Sequence, residues 1–321
     1  MPSLRVSSRD SRGFQVVRSA VAFRERVLLS QDCPWGNVLY VDGIDGSDSY
    51  NGRSSDRAKK TIQGAIDVAT GGDTIYIRPL AFHDDRGWNR YTEDVVVTSG
   101  IASNLFANAG ISLIGITRPG ATGDFMGVRW THTSATALTN DAPALGVENI
   151  GFFSEGATYG VHLVHDGATG LKQGSQGTSF YNCAFKGKGL YVLSGGDGLT
   201  VDTCRFQCAY DGVVAQLNYS ASANPGRRLT VRDCEWLDGN GVVSNGPLIH
   251  IAPPCTEILI RDCYFPQLPS TGAYVSAAGA ANEGLIANIF CAGTALVLST
   301  AFLAGGCFTS NCMDKEGIIS G

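Results

Sequence analysis

The segment GVHLVHDG, Gly160 to Gly167, is the nearest approach to acid–base equipment in this chain. His162 and Asp166 are four residues apart, and strand alternation puts them on one face. An imidazole beside a carboxylate can move protons. A polar patch without catalysis accounts for the same residues and is the preferred reading. Asp233 and Asp262 hold equivalent places in a repeat. On stacked strands they would lie about 5 Å apart, near the separation of a glycosidase carboxylate pair. Asp84, Asp85, Glu93, Asp94 and Asp197 could converge on a groove, and Trp88 and Tyr91 could stack on sugars. Asp42, Asp45, Asp48 and Asn51, three apart in a Gly-rich loop, vaguely resemble a calcium loop but lack EF-hand spacing and its closing Glu. An Asx-turn cluster is the simpler expectation. Ten cysteines invite metal or redox chemistry. There is no Cys-x-x-Cys pair and no Cys/His cluster with zinc spacing, so buried, reduced thiols are expected. No residue is assigned a catalytic, cofactor-binding or metal-binding role.

The elements that position these groups follow from a repeat. Val147–Phe152 (VENIGF), Phe180–Phe185 (FYNCAF), Val201–Phe206 (VDTCRF), Val231–Trp236 (VRDCEW) and Ile260–Phe265 (IRDCYF) share one register, and Ile286–Cys291 (IANIFC) is a weaker copy. Successive starts are 33, 21, 30, 29 and 26 residues apart. A period in this range marks a stacked solenoid. The fourth and sixth positions are apolar around a variable fifth, which is strand alternation. The first position is apolar but out of phase, so a bend lies between. Asn149, Asn182, Thr203, Asp233, Asp262 and Asn288 occupy the third position. Asn and Asp tolerate the left-handed conformation and suit a tight corner. One strand is expected to end at position one and the next to start at position four. The predicted fold is an all-β, single-stranded parallel β-helix. Cys183, Cys204, Cys234 and Cys263 would form an inward column, and Phe152, Phe185, Phe206, Trp236 and Phe265 an interior aromatic stack. In-register thiols point the same way, which suits a disulfide poorly. Outside, Asp202 would neighbour Arg205 and Arg232, and Arg232 would neighbour Glu235. That pattern reads as a solvated ion-pair ladder or a polar subunit interface.

Composition agrees. Glycine is 41 of 321 residues and charged residues are 17%. Both depart from ordinary usage of roughly 7% and 25% in the direction a many-cornered solenoid requires. The net charge of −5 gives no electrostatic reason to expect nucleic-acid binding. The opening residues show no apolar signal segment, and unpaired thiols suggest synthesis in a reducing compartment. The uncharged run Ala292–Phe308 is too short and too broken for a membrane span and reads as coil strands. Residues 1–36 carry six arginines and no repeat register, so they form an N-terminal arm or a leading edge.

Residues 37–73 form an entry loop and cap helix, and 74–321 the β-helix body. Ile62, Ala65, Ile66 and Ala69 sit at helical spacing, and a short amphipathic helix there would close the first coil. Gly71, Gly72 and Asp73 stop it, and Thr74–Ile77 is expected to be the first strand. The motifs Tyr40-Val-Asp-Gly, Gly46-Ser-Asp, Asn51-Gly, Ala58-Lys-Lys-Thr-Ile-Gln and Gly72-Asp-Thr-Ile-Tyr-Ile resemble the N-terminal entry of pectate-lyase-like right-handed β-helix proteins. That entry recurs in phage tail spikes, other phage virion proteins and bacterial surface proteins. Where those proteins continue with Pro-Gly, this chain has Pro79-Leu80 and an insertion, Phe82–Arg90, holding His83, Asp84, Asp85, Arg86 and Trp88. The resemblance implies a right-handed helix and a non-catalytic phage virion subunit: a spike, fibre-like or capsid-decorating homotrimer. It would be made in the host cytoplasm, attached to other virion proteins through residues 1–36, and would contact host surface glycan. The rival expectation is a depolymerase, hydrolase or lyase, acting on bacterial surface glycans.

Overall fold

The computed structural model describes residues 36–80, 89–98, 107–116, 127–134, 136–154, 159–164, 174–193, 197–207, 215–219, 227–237, 247–252, 255–265, 274–277, 282–291, 307–310, 312–314 and 317–319. Its organising feature is the corner. Asn149, Asn182, Thr203, Asp233, Asp262 and Asn288 have φ of 59, 49, 54, 52, 55 and 52°, all left-handed. The corner falls at the third position as expected, but the strand before it runs one residue further than position one. Strands run through position two, as in Ser179–Tyr181 and Thr200–Asp202, before the left-handed residue turns the chain. The next strand opens at position four in Ile150–Ser154 and at position five in Ala184–Gly187 and Arg205–Gln207.

Repeated corners sort the described strands into three sheets. The first has ten strands, from Val38–Val41 to Cys307–Ser310. The second has ten, from Tyr91–Thr92 to Gly317–Ile319. The third has seven, from Val95–Val97 to Val275–Ala277. Each full turn of chain, a rung, visits them in that order. Pairing is parallel and in register, as in Phe180↔Val201 and Phe185↔Phe206, except for the final antiparallel pair of the second sheet. This is the right-handed parallel β-helix that the repeat and the entry motif predict. The corner between the second and third sheets is a glycine in one rung. Gly187 has φ of 91°, and a Cβ there would lie 2.1 Å from the Ser154 carbonyl oxygen.

The bore is filled by the predicted columns. Phe152, Phe185, Phe206, Trp236 and Phe265 stack with centroids 5.5, 4.8, 4.7 and 4.8 Å apart. Trp130 extends the stack upward at 5.3 Å from Phe152, a member the hexapeptide register did not include. Cys183, Cys204, Cys234 and Cys263 are buried and free. Each thiol reaches the position-two carbonyl of its own rung and the position-one carbonyl one rung earlier; Cys234 Sγ lies 3.1 Å from Arg232 O and 3.6 Å from Val201 O. A thiol is small and apolar yet a weak donor, which suits a packed corner lined with carbonyls. Cys312 repeats the pattern toward Ser310 O and Ile286 O. It belongs to a seventh corner, whose register follows from Ile286↔Thr309.

The first strand is Val38–Val41, not Thr74–Ile77; the two pair residue by residue. Between them runs the cap. Its helix is Ile62–Ile66, shorter than the periodicity suggested, with Thr61 Oγ1 accepting from Gly64 N at 2.9 Å. Ile62, Ala65, Ile66 and Ala69 are buried as predicted. Outside, the ion pairs run from rung to rung within a sheet. Arg232 meets Asp202 at 2.6 Å and Arg205 meets Glu235 at 2.7 Å. Among the described residues, the expected contacts of Asp202 with Arg205 and of Arg232 with Glu235 are not the ion pairs formed. The arm lies outside the described residues but for Gly36. No described helix is long and apolar enough to cross a membrane.

Candidate functional site

Most of the residues that looked chemical are structural. Asp42 Oδ1 accepts from Ile44 N and Asp45 N, and its other oxygen pairs with Arg78. Asp48 accepts from Lys60 N, Thr61 N and Thr61 Oγ1, and Asn51 from Arg53 N. The acidic loop is therefore the Asx-turn cluster. Glu93 accepts from Ile62 N and Gln63 N at 3.1 Å each, capping the helix from another segment. Asp94 binds Thr133 N, Ser134 N and Ser134 Oγ; burial opposes ionisation, but Ser134 and Thr133 hold the carboxyl at about 2. Asp197 Oδ1 accepts from Arg227 N. Tyr91 is buried, with its hydroxyl donating to Arg78 O and accepting from Gly43 N, so it is no sugar platform. Asn149, Asn182, Asp233 and Asp262 are corner residues, and Arg261 meets Asp262 at 3.3 Å. His83, Asp84, Asp85, Trp88, His165 and Asp166 lie outside the described residues.

His162 is different, because the third sheet turns it outward. Four consecutive triplets of this sheet read apolar, outward, apolar: Val161-His162-Leu163, Leu190-Tyr191-Val192, Leu217-Asn218-Tyr219, Ile249-His250-Ile251. The flanking residues are buried, so the middle one must face out. Parallel register stacks them as Val96, Thr139, His162, Tyr191, Asn218, His250 and Ser276. From Thr139 to Ser276 all six are half-buried.

The column is bonded to itself. The His162 ring stacks on Tyr191 with centroids 4.8 Å apart and planes at 22°. Tyr159 stacks on the same ring at 4.8 Å and 18°. Asn218 Nδ2 donates to Tyr159 Oη at 3.0 Å, and His250 Nδ1 meets Ser276 Oγ at 2.7 Å. Burial pushes both imidazoles below their usual range, so both are neutral at pH 7. Two polar atoms of the column are buried without a protein partner: His162 Nε2 and Asn218 Oδ1. Gln216, 1% exposed, is not part of the column. It stands in register with Gly189, where a Cβ would meet Phe185 and Phe206, and with Tyr274, which stacks on Phe265, so its side chain faces the bore.

No protein-family model matches the chain, and no curated protein matches it. Solved structures do. A rhamnogalacturonan lyase is 15% identical, with TM-score 0.51, over 87% of this chain and 74% of that one. The pectin methylesterase from Aspergillus niger is 16% identical, with TM-score 0.48, over 88% and 86%. The chain has the pectate-lyase-like β-helix fold. At these identities the likeness shows the fold and nothing of the chemistry, which rests on the site.

Sequence reasoning found His162 and missed the rest of the column. The triplets carry a signal, an outward residue between two apolar ones, repeated once per rung. Their distance from the corner varies, from Phe185 followed by Leu190 to Trp236 followed by Ile249, so no fixed register exposes them. Among the described residues, no cluster of three or more His, Cys, Asp or Glu could hold a metal ion.

Proposed function

We propose that the protein acts on a polysaccharide whose chain lies along the outer face of the third sheet. The observation that carries this is the continuous outward column of hydroxyls, an amide and two imidazoles, in which His162 Nε2 and Asn218 Oδ1 have no protein partner. A glycan chain presents hydroxyls at a regular spacing, and a ladder of strands about 4.8 Å apart presents partners at a regular spacing. The name of the rhamnogalacturonan lyase points to the same class of ligand. The column holds no carboxylate, so hydrolysis by a carboxylate pair finds no equipment in it. His162, neutral and with a partnerless nitrogen, is its proton acceptor.

A second reading shares the ligand and drops the chemistry. That the described column holds no carboxylate pair favours a non-catalytic glycan-binding virion subunit. The entry motif's resemblance to phage spikes supports that placement, as a homotrimer attached through residues 1–36. The test is incubation of the purified protein with a panel of bacterial surface polysaccharides, scoring retention and the release of reducing ends or unsaturated sugars. Retention with release that His162→Ala abolishes supports a depolymerase. Retention without release supports the virion subunit. Neither retention nor release overturns glycan action altogether.

A further inference from the structure

We infer that the N-terminal arm folds back on its own body: residues 24–29 lie in the shallow cleft at the N-terminal end of the third sheet, with Arg26 paired to Asp67 and with Val27, Leu28 and Leu29 covering the apolar floor. Attachment through the arm then competes with this contact.

The cleft stands where the third sheet ends. Val95–Val97 is the first strand of that sheet among the described residues, with no described strand before it. Ile66, Ala69 and Val96 line the cleft beside Thr98 and Asn108, and Asp67 is the one charged group in its lining. Val96 and the nearby Val68 are exposed. Apolar side chains at an open sheet end call for cover. Asp67 is exposed too. Its Oδ1 accepts from Gln63 Nε2 at 2.6 Å, and among the described residues its second oxygen meets no donor. Gln63 already serves the Val96 backbone at both its N–H and its carbonyl. An occupant is therefore held by its side chains and adds no strand.

The arm leaves the body beside this cleft. Gly36 packs so closely on Gly72 that a Cβ there would strike the Gly72 carbonyl. Asn37 N and Nδ2 both donate to Asp73 Oδ1. Gly71 N donates to Ala107 O and Gly72 N to Ala109 O, which sets Asn108, a cleft residue, against the same turn. Leu29 is seven residues before Gly36 in sequence, a reach of up to about 25 Å.

Charge selects the same occupant. Residues 1–35 carry six arginines against Asp10, Glu25 and Asp32. The whole chain carries 24 basic and 29 acidic residues, so the rest holds 18 against 26. A cationic segment is drawn to an acidic body. Its tether keeps it at an effective concentration on the order of millimolar, so weak contacts suffice. Within that reach, Arg26-Val27-Leu28-Leu29 is the run that joins a cation to consecutive apolar residues.

The experiment is limited trypsin digestion of the full chain under native conditions, with initial cleavage rates after each arm arginine read by peptide mass. Asp67→Asn removes the charge and keeps an acceptor for Gln63. Val96→Ser removes apolar floor at an exposed position. Each should speed cleavage after Arg26 about threefold, and the two together about tenfold. Cleavage after Arg5 and Arg9 should not change. Thermal unfolding checks that each variant keeps the fold, and the single variants serve if the double one does not. An unchanged rate after Arg26 overturns the inference. Equal acceleration at every arm arginine also overturns it, because the response then does not belong to residues 24–29. A wild-type rate after Arg26 that rises on dilution puts the arm in a second copy's cleft and overturns the fold-back.

Discussion

A left-handed residue at the same place in each repeat turns the path of this chain, and the six corners from Asn149 to Asn288 are not equally comfortable. Asn182 Nδ2 donates to Asn149 Oδ1 at 2.6 Å, and Asn288 Nδ2 donates to Asp262 Oδ1 at 2.9 Å. Between them stand two acids, Asp233 and Asp262. Burial raises the Asp233 pKa, and the neighbouring Asp202 and Asp262 carboxylates raise it further. A carboxyl whose folded pKa is raised supports folding below its unfolded value of about 3.9 and loses that support as pH rises through the folded value. At neutral pH, Asp233 therefore opposes folding. Asp233→Asn gives the ladder a donor toward Asp262 and removes the repulsion. We expect it to stabilise the protein at pH 7 by about 0.5–1 kcal/mol, at the lower end because the site is open to solvent. The gain should vanish below about pH 4. Thermal unfolding of both proteins at pH 7 and pH 3.5 measures this; an equal or lower melting temperature for the variant at pH 7 would refute the ladder argument. The corner was legible in the sequence because a left-handed residue restricts residue type, and Asn or Asp recurs at the third position. Thr203 fits only by register, since a β-branched residue with φ of 54° is not what local preference selects.

The corner elements face two ways. Their inner position holds thiols that touch carbonyls; burial raises the pKa of Cys204, and the adjacent Cys234 thiol together with burial raises that of Cys263, well above the usual thiol range. All four side chains of the column are buried, so they are out of reach of reagents in solvent. Native alkylation with iodoacetamide should leave Cys183, Cys204, Cys234 and Cys263 unmodified, and all four should react once the chain is unfolded in guanidinium. Modification of any of them in the folded protein, located by peptide mass, would place that corner differently. These columns were readable because corner and second-sheet strand sit at fixed spacing within one hexapeptide. The third sheet was not, since insertions of unequal length separate it from the corner and dissolve its period. The candidate site is built on that sheet, so the face proposed to bind is the part whose register varies. Loop length costs little in closure entropy, which lets one scaffold carry many rims.

At the scale of the molecule, a parallel solenoid has a problem at each end: strands whose backbone groups have no neighbour. The N-terminal end is closed by side chains as well as by a helix. Gln63, on the cap helix, accepts from Val96 N through Oε1 at 2.8 Å and directs Nε2 toward Val96 O at 3.5 Å. Asn108 Nδ2 donates to Thr98 O at 2.9 Å. An amide side chain thus stands where the next strand of the third sheet would be, offering one donor and one acceptor as a peptide group does. Asp67 Oδ1 holds the Gln63 amide in place at 2.6 Å. Gln63→Ala removes the substitute and leaves Val96, itself 46% exposed, as an open edge beside the shallow cleft lined by Ile66, Ala69 and Thr98. The direct cost is about one hydrogen bond, roughly 1 kcal/mol. The larger consequence is a template for strand addition. Light scattering coupled to size exclusion should show concentration-dependent species above the wild-type mass for Gln63→Ala. Gln63→Glu keeps an acceptor for Val96 N and adds edge charge, so it should retain the wild-type profile. If Gln63→Ala also elutes at the wild-type mass at every concentration, the helix alone protects this end, and the amide is only a local contact.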